Sequence, residues 1–362
     1  MTIDHEKDST GAGFENVRGS ALRQGRDAGT RTRGMYVDTM PQRGVSRPEQ
    51  ENILKREARK IAEGMASAEY IDLRYGDYAA SICTFGAALR LLEYRGKSLV
   101  ESFPVGQPPP LQCGVVLAPW PNRIADGKFD FQGQEYQLEI NEPERNNALH
   151  GMVHNKNWRV VASDSHAAVL TTNVPPTEHW PWPLELAVTF NLDSDGMHIT
   201  MRATSDAECA PFACGWHMYL NPQDGDLGAA KLQINVRKQL PLDRVRKLPS
   251  GPAVESELVE QLQKGLELKD LLLDDCFQAP GAPLHVKMTS GGKGVRMTSS
   301  AEMPWVQVFT ADERWDCPFP DGRRAIAVEP MSAPPNSLRS GEDVTELSRR
   351  RVAHFGIRLQ AC

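Results

Sequence analysis

The chain has 362 residues, 24% of them charged, and a formal net charge of -6, so it carries no basic field to collect phosphate backbones or anionic lipid, and nucleic acid is not an expected partner. No stretch approaches the ~18 consecutive apolar residues of a membrane span, and the opening MTIDHEKDSTGAG lacks the apolar core of a secretory leader; no membrane association and a cytoplasmic location are expected. The seven cysteines are scattered, several inside apolar runs such as ASICTFGAAL, and read as reduced core thiols; the CxxxxC spacing of Cys209 and Cys214 supplies too few ligands for a structural metal.

Residues 1 to about 50 are rich in Gly, Arg, Asp, Ser and Thr without an apolar period, the composition of a segment unable to bury enough surface to fold. Within RPEQENILKREARKIAEGMA, Ile53, Leu54, Ala58, Ile61 and Ala62 recur at helical spacing among charges, which predicts a short amphipathic helix near 50–64. Residues 1–66 are therefore expected to be an extension, largely disordered apart from that helix, and 67–362 a single folded domain.

From residue 69 the pattern changes to short alternating runs broken by turn residues at intervals of roughly ten, the mark of sheet. KFDF (128–131), a turn at Gln132-Gly133-Gln134 and EYQLEI (135–140) predict one hairpin; LELAVTFNL (184–192), the DSDG turn and MHITMRA (197–203) predict another. Further strands are expected at 78–84, 87–94, 157–163, 167–173, 231–236, 305–310, 325–329 and 352–359. So many strands with so little helix argue an all-β sandwich of two large antiparallel sheets.

No GxxxxGK[ST], GxGxxG, HExxH or GxSxG is present, so the common phosphate-cradling, zinc-protease and esterase chemistries have no foothold. What remains are polar residues in turn-punctuated segments: Asn122 and Arg123 in LAPWPNRIADG, His150 in NNALHG, His217 in PFACGWHMYLN, Asp274 and Asp275 in LLLDDCF, and Glu329 in AIAVEPMSAPP. Taken singly, each reads as readily as a surface ion pair, a satisfied core histidine or a turn cap. A carboxylate buried at a strand end, as Glu329 would be, is instead a candidate acid or base.

Taken in this order, NRIADGKF, NALHG followed by Trp158, GWHMYLN, LDDCF and AVEPM resemble the motifs of the aldose 1-epimerase (galactose mutarotase-like) family, in wording closest to its bacterial branch, from about residue 68 to the C-terminus. The resemblance implies a β-supersandwich with the site on its concave face. It implies Glu329 as general base, His217 as general acid, His150 beside the ring oxygen, and Arg123, Asp274 and the neighbouring Asn122 holding sugar hydroxyls, with Asp274 preferred to Asp275 by the D-x-x-F spacing to Phe277. Met218 stands where many members have Pro, and HGMVHNKNW lacks the second glycine usual in galactose-type members; both departures bear on substrate preference.

The activity implied is interconversion of the α and β anomers of a free aldohexose, galactose or glucose for example, an isomerase reaction needing one acid and one base but no metal or organic cofactor. The expected partner is a small sugar, and the expected state a monomer or homodimer. Trp120, Trp216 and Trp305 are candidates to stack on the sugar. Two alternatives share the fold. A hexose 6-phosphate mutarotase would need an added cationic cluster, for which Arg323 and Arg324 are the candidates, and a non-catalytic sugar-binding or sensing protein would not need His217 and Glu329 together.

Overall fold

The computed structural model describes residues 45–279, 281 and 283–362; the disorder expected for residues 1–44 lies outside them. Two large sheets dominate. A nine-stranded sheet runs in the order 159–163, 167–174, 184–193, 196–204, 353–361, 293–299, 285–290, 231–234, 266–267. A seven-stranded sheet runs 238–240, 274–278, 305–311, 325–331, 215–216, 116–117, with 219–220 also pairing to 325–331. Strand pairing within both is antiparallel throughout.

The alternation read from the sequence appears directly as burial. Along 184–193 every second side chain is buried and its neighbours are not, because one face of the nine-stranded sheet meets the core and the other meets water. The strand 325–331 is buried at every position, since both faces of the seven-stranded sheet are covered. Ile326 and Val328 enter the main core, shared with Val188, Phe190, Ile199 and Met201 of the nine-stranded sheet. Ala325 and Ala327 point to the opposite side, into a separate apolar cluster. Glu329 follows them at the same parity, so it stands on the face turned away from the main core.

Several strand ends differ from expectation by one or two residues. The first hairpin turns on two residues, not three: Phe131 pairs with Gln134, leaving Gln132 and Gly133 at φ of 52° and 80°, the positive pair that a tight primed turn requires. Strands at 70–75, 285–290 and 293–299 had no distinct sequence signal.

The helix spans Arg47–Ala66, opened by a Ser46–Glu49 capping box. It belongs to the same compact unit as the sandwich. Its inward face departs from expectation. Leu54, Ala58 and Ala62 are exposed, whereas Ile53, Glu57, Lys60, Ile61 and Met65 face the domain. Ile61 and Met65 pack on the cluster around Phe85, and a side chain at Gly64 would run into the Phe85 ring. The helix is therefore only half held by apolar contact; the rest of its inward face is charged and makes polar bonds to Glu139, the Ile140 carbonyl and Asn155.

Candidate active site

The NR and NALHG segments, 24 residues apart between Arg123 and Asn147, meet in a short ladder in which Arg123, Ile124 and Ala125 pair with Leu149, Ala148 and Asn147. Just beyond the ladder, Asn122 and His150 lock each other. The His150 backbone N–H donates to the Asn122 carbonyl at 3.0 Å, and the Asn122 backbone N–H donates to His150 Nδ1 at 3.2 Å. Both residues sit at positive φ, 56° and 61°, a conformation that costs a non-glycine residue of order 1 kcal/mol or more and persists where surroundings enforce it. Gly151 follows at φ 75°, with its α-carbon against the Ala118 carbonyl.

The bond to Nδ1 decides the tautomer. A backbone N–H can only donate, so Nδ1 is the acceptor and Nε2 carries the proton. Burial, reinforced by His217, His154 and Arg123, holds His150 well below the usual histidine range. It is a neutral imidazole offering one N–H.

His217 comes from the segment linking 215–216 to 219–220, and its ring is fixed by stacking on Tyr219 (5.3 Å, 22°) and by edge contact with His150 (5.4 Å). Its Nε2 lies 3.4 Å from Glu329 Oε1. Both side chains are nearly sealed from solvent, and Glu329 Oε2 and His217 Nδ1 are buried without a hydrogen-bond partner among the described residues. Burial, with Asp274 adding to it and Arg123 opposing, pushes Glu329 up to about 8. Burial likewise brings His217 down to about 3. Burial thus favours the uncharged form of each partner, the carboxylic acid of Glu329 and the neutral imidazole of His217, because a closed site penalises both charges together.

Asp274, Gln307 and Glu329 lie on adjacent strands, with Gln307 directly opposite Glu329 in register. Gln307 Nε2 donates to Asp274 Oδ1 at 2.8 Å, and Asn122 Nδ2 reaches Gln307 Oε1 at 3.4 Å. Lys247 Nζ pairs with Asp274 Oδ2 at 2.9 Å and lies 5.2 Å over the ring of Trp315. Arg123 is gripped by Glu142 through Nε and Nη2, at 2.9–3.1 Å. Asp275 instead accepts from Gln239.

All six residues expected from the sequence therefore converge: His150, His217 and Glu329 at the centre, with Asn122, Arg123 and Asp274 around them. Gln307, Lys247 and Glu142 were missed. Gln307 sits inside WVQVFTA, where one polar residue in a buried strand was the available signal; Lys247 and Glu142 lie in turns that resemble any charged surface loop. Trp120, Trp216 and Trp305 are at most 3% exposed, and Trp305 Nε1 donates to Asp343. The aromatic ring beside the site that reaches solvent is Trp315, 41% exposed.

Ligating atoms of His150, His217 and Glu329 lie within 4.8 Å of one another, a spacing that would suit a divalent ion. The hydrogen bonding does not. A metal on His150 Nε2 would require the proton on Nδ1, where it would oppose the Asn122 N–H.

An aldose 1-epimerase family model matches residues 70–348. The chain belongs to the aldose 1-epimerase family. Among curated relatives, the uncharacterised protein YihR of Escherichia coli K12 is 28% identical over 295 residues, covering 81% of this chain and 93% of YihR. Human galactose mutarotase is 26% identical over 238 residues, covering 59% of this chain and 66% of the human protein. Among solved structures, a putative aldose 1-epimerase of E. coli K12 superposes with a TM-score of 0.70 at 19% identity, covering 82% and 99% of the two chains. A Caenorhabditis elegans homologue superposes at 0.71 and 18% identity, with the same shares covered. These superpositions establish the mutarotase-like β-sandwich. Among the described residues no helix is long and apolar enough to cross a membrane.

Proposed function

We propose that this family member is a working mutarotase that equilibrates the anomers of a free aldohexose without a cofactor, with Glu329 and His217 as the proton-transfer pair. The observation that carries the proposal is the sealed contact of His217 Nε2 with Glu329 Oε1 at 3.4 Å, flanked by the fixed N–H donor of His150. Ring opening removes a proton from the anomeric hydroxyl and delivers one to the ring oxygen. The single proton of the pair is enough for this.

In the resting site it lies on Glu329. Sugar hydroxyls donating to the carboxylate, together with the Arg123 cation, favour its transfer to His217 as substrate binds. Glu329 then takes the O1 proton and His217 donates to O5. C1 turns about the C1–C2 bond and the same steps run backward on the other face, restoring both groups. His150 Nε2–H steadies the oxygen on which charge develops, while Arg123, Asp274 and Asn122 hold the remaining hydroxyls.

Relaxation of the optical rotation of freshly dissolved α-galactose and α-glucose tests this. Wild type should accelerate it, and Glu329→Gln and His217→Asn should each lose a factor of roughly 10² to 10⁴. Absence of acceleration with either sugar would refute the proposal in favour of a binding protein. A phosphorylated substrate finds less support: Arg323 is paired with Glu101 at 2.8 Å and Arg324 with Asp312 at 2.9 Å, so both arginines already sit in ion pairs.

A further inference from the structure

A second cavity, of about 550 Å³, lies between the N-terminal helix and the segment following His150. Its volume falls within the ~300–1,000 Å³ typical of small-molecule sites. Gly151, Met152 and His154 form one wall, but Glu329, His217 and Asp274 do not line it. It is separate from the reacting pair.

Two polar groups of this cavity are unmatched. His154 is 9% exposed, and its Nδ1 contacts the His150 carbonyl at 3.1 Å. A carbonyl can only accept, so Nδ1 carries the proton and Nε2 is a lone-pair acceptor without a protein partner among the described residues. The second group is Lys156. The three carboxylates of the wall are all engaged: Glu57 and Glu139 with Arg56 and Lys60, and Glu63 with Arg59. Lys156 has no such partner among the described residues, and burial, with Lys60 adding to it, holds its ammonium below the usual lysine range. A half-buried cation in this position gains from any anion placed beside it.

We propose that this cavity is a second ligand site, taking a small monoanionic hydroxy acid of the aldonate kind, whose carboxylate pairs with Lys156 and whose hydroxyl donates to His154 Nε2. One charge is specified because one cation is unmatched. A hydroxyl is specified because a neutral imidazole nitrogen accepts a hydrogen bond that a second anion could not supply. Leu138 and Met152, which also line the cavity, cover the carbon chain.

The test is calorimetric titration of the full-length protein with D-gluconate, with D-galactose as competitor. The expected result is 1:1 binding that saturating galactose leaves unchanged, survives in Glu329→Gln and Lys156→Arg, and weakens at least tenfold in Lys156→Met. No binding of gluconate to wild type, displacement by galactose, or undiminished binding in a folded Lys156→Met would each overturn the proposal. The wild-type competition stands independently of how the variants fold, and because the readout is binding, failure here leaves the mutarotase reading untouched.

Discussion

Glu329→Gln should remove activity and at the same time stabilise the fold, by an amount that depends on pH. The Glu329 carboxyl would ionise near 4.5 in the unfolded chain but does so at about 8 in the folded protein. Between those values the native state binds the extra proton, so wild-type stability falls as pH rises, by about 1.4 kcal/mol per pH unit. Glutamine has the shape of the neutral carboxyl, can donate to His217 Nε2 as that acid does, and escapes this loss. The variant should therefore match wild type below pH 4.5, exceed it by about 3 kcal/mol at pH 7, and level off near roughly 5 kcal/mol above pH 8. Chemical denaturation of both proteins at pH 5, 7 and 8.5 measures the difference. A variant less stable than wild type, or an advantage that does not grow between pH 5 and 8.5, would show that Glu329 is not held protonated by its burial.

Other outcomes are tied to single contacts. His154, brought down by burial to about 4, is neutral in the native state but charged once unfolded below 6.5. Its contribution is complete above pH 6.5 and lost as pH falls through that window toward 4, so wild type should lose about 3 kcal/mol there by denaturant titration, and His154→Gln should flatten the slope. Gly151→Ala places a side chain against the Ala118 carbonyl at φ 75°; a loss of roughly 3 kcal/mol and a large fall in kcat/KM are expected, and a neutral result by thermal melt would contradict the geometry. Lys247→Met removes the 2.9 Å partner of Asp274 and should raise KM roughly tenfold while leaving kcat nearly unchanged. Gln307→Leu cuts the link between Asp274 and Asn122 and should likewise act on KM, by steady-state polarimetry.

Most of the scaffold could be read from alternation. The hairpins at 128–137 and 184–204 were legible because one face of each meets the core and the other meets water, which writes a period of two into the residues. The strand 325–331 has no such alternation, since both its faces are covered; its burial showed only as an apolar run. The helix was legible from period and capping residues, but its inward face was not, because half of that face is charged and pairs with partners some 80 residues away, such as Glu139.

The motif residues of the site were likewise available from sequence, since NALHG carries both its histidine and the turn that holds it, and AVEPM sets its carboxylate in an apolar strand. Tertiary structure alone decided the rest. Whether His150 is a ligand or an N–H donor depends on a backbone proton 28 positions away in sequence. Where the shared proton rests depends on how completely Glu329 and His217 are shut from water together. That Lys247 and Gln307 both reach Asp274 follows from the register of strands and turns distant in the chain. Sequence records which groups are present and how each segment folds locally; charge and protonation are set by the dielectric and by neighbours that only the assembled sheets bring within a few ångströms.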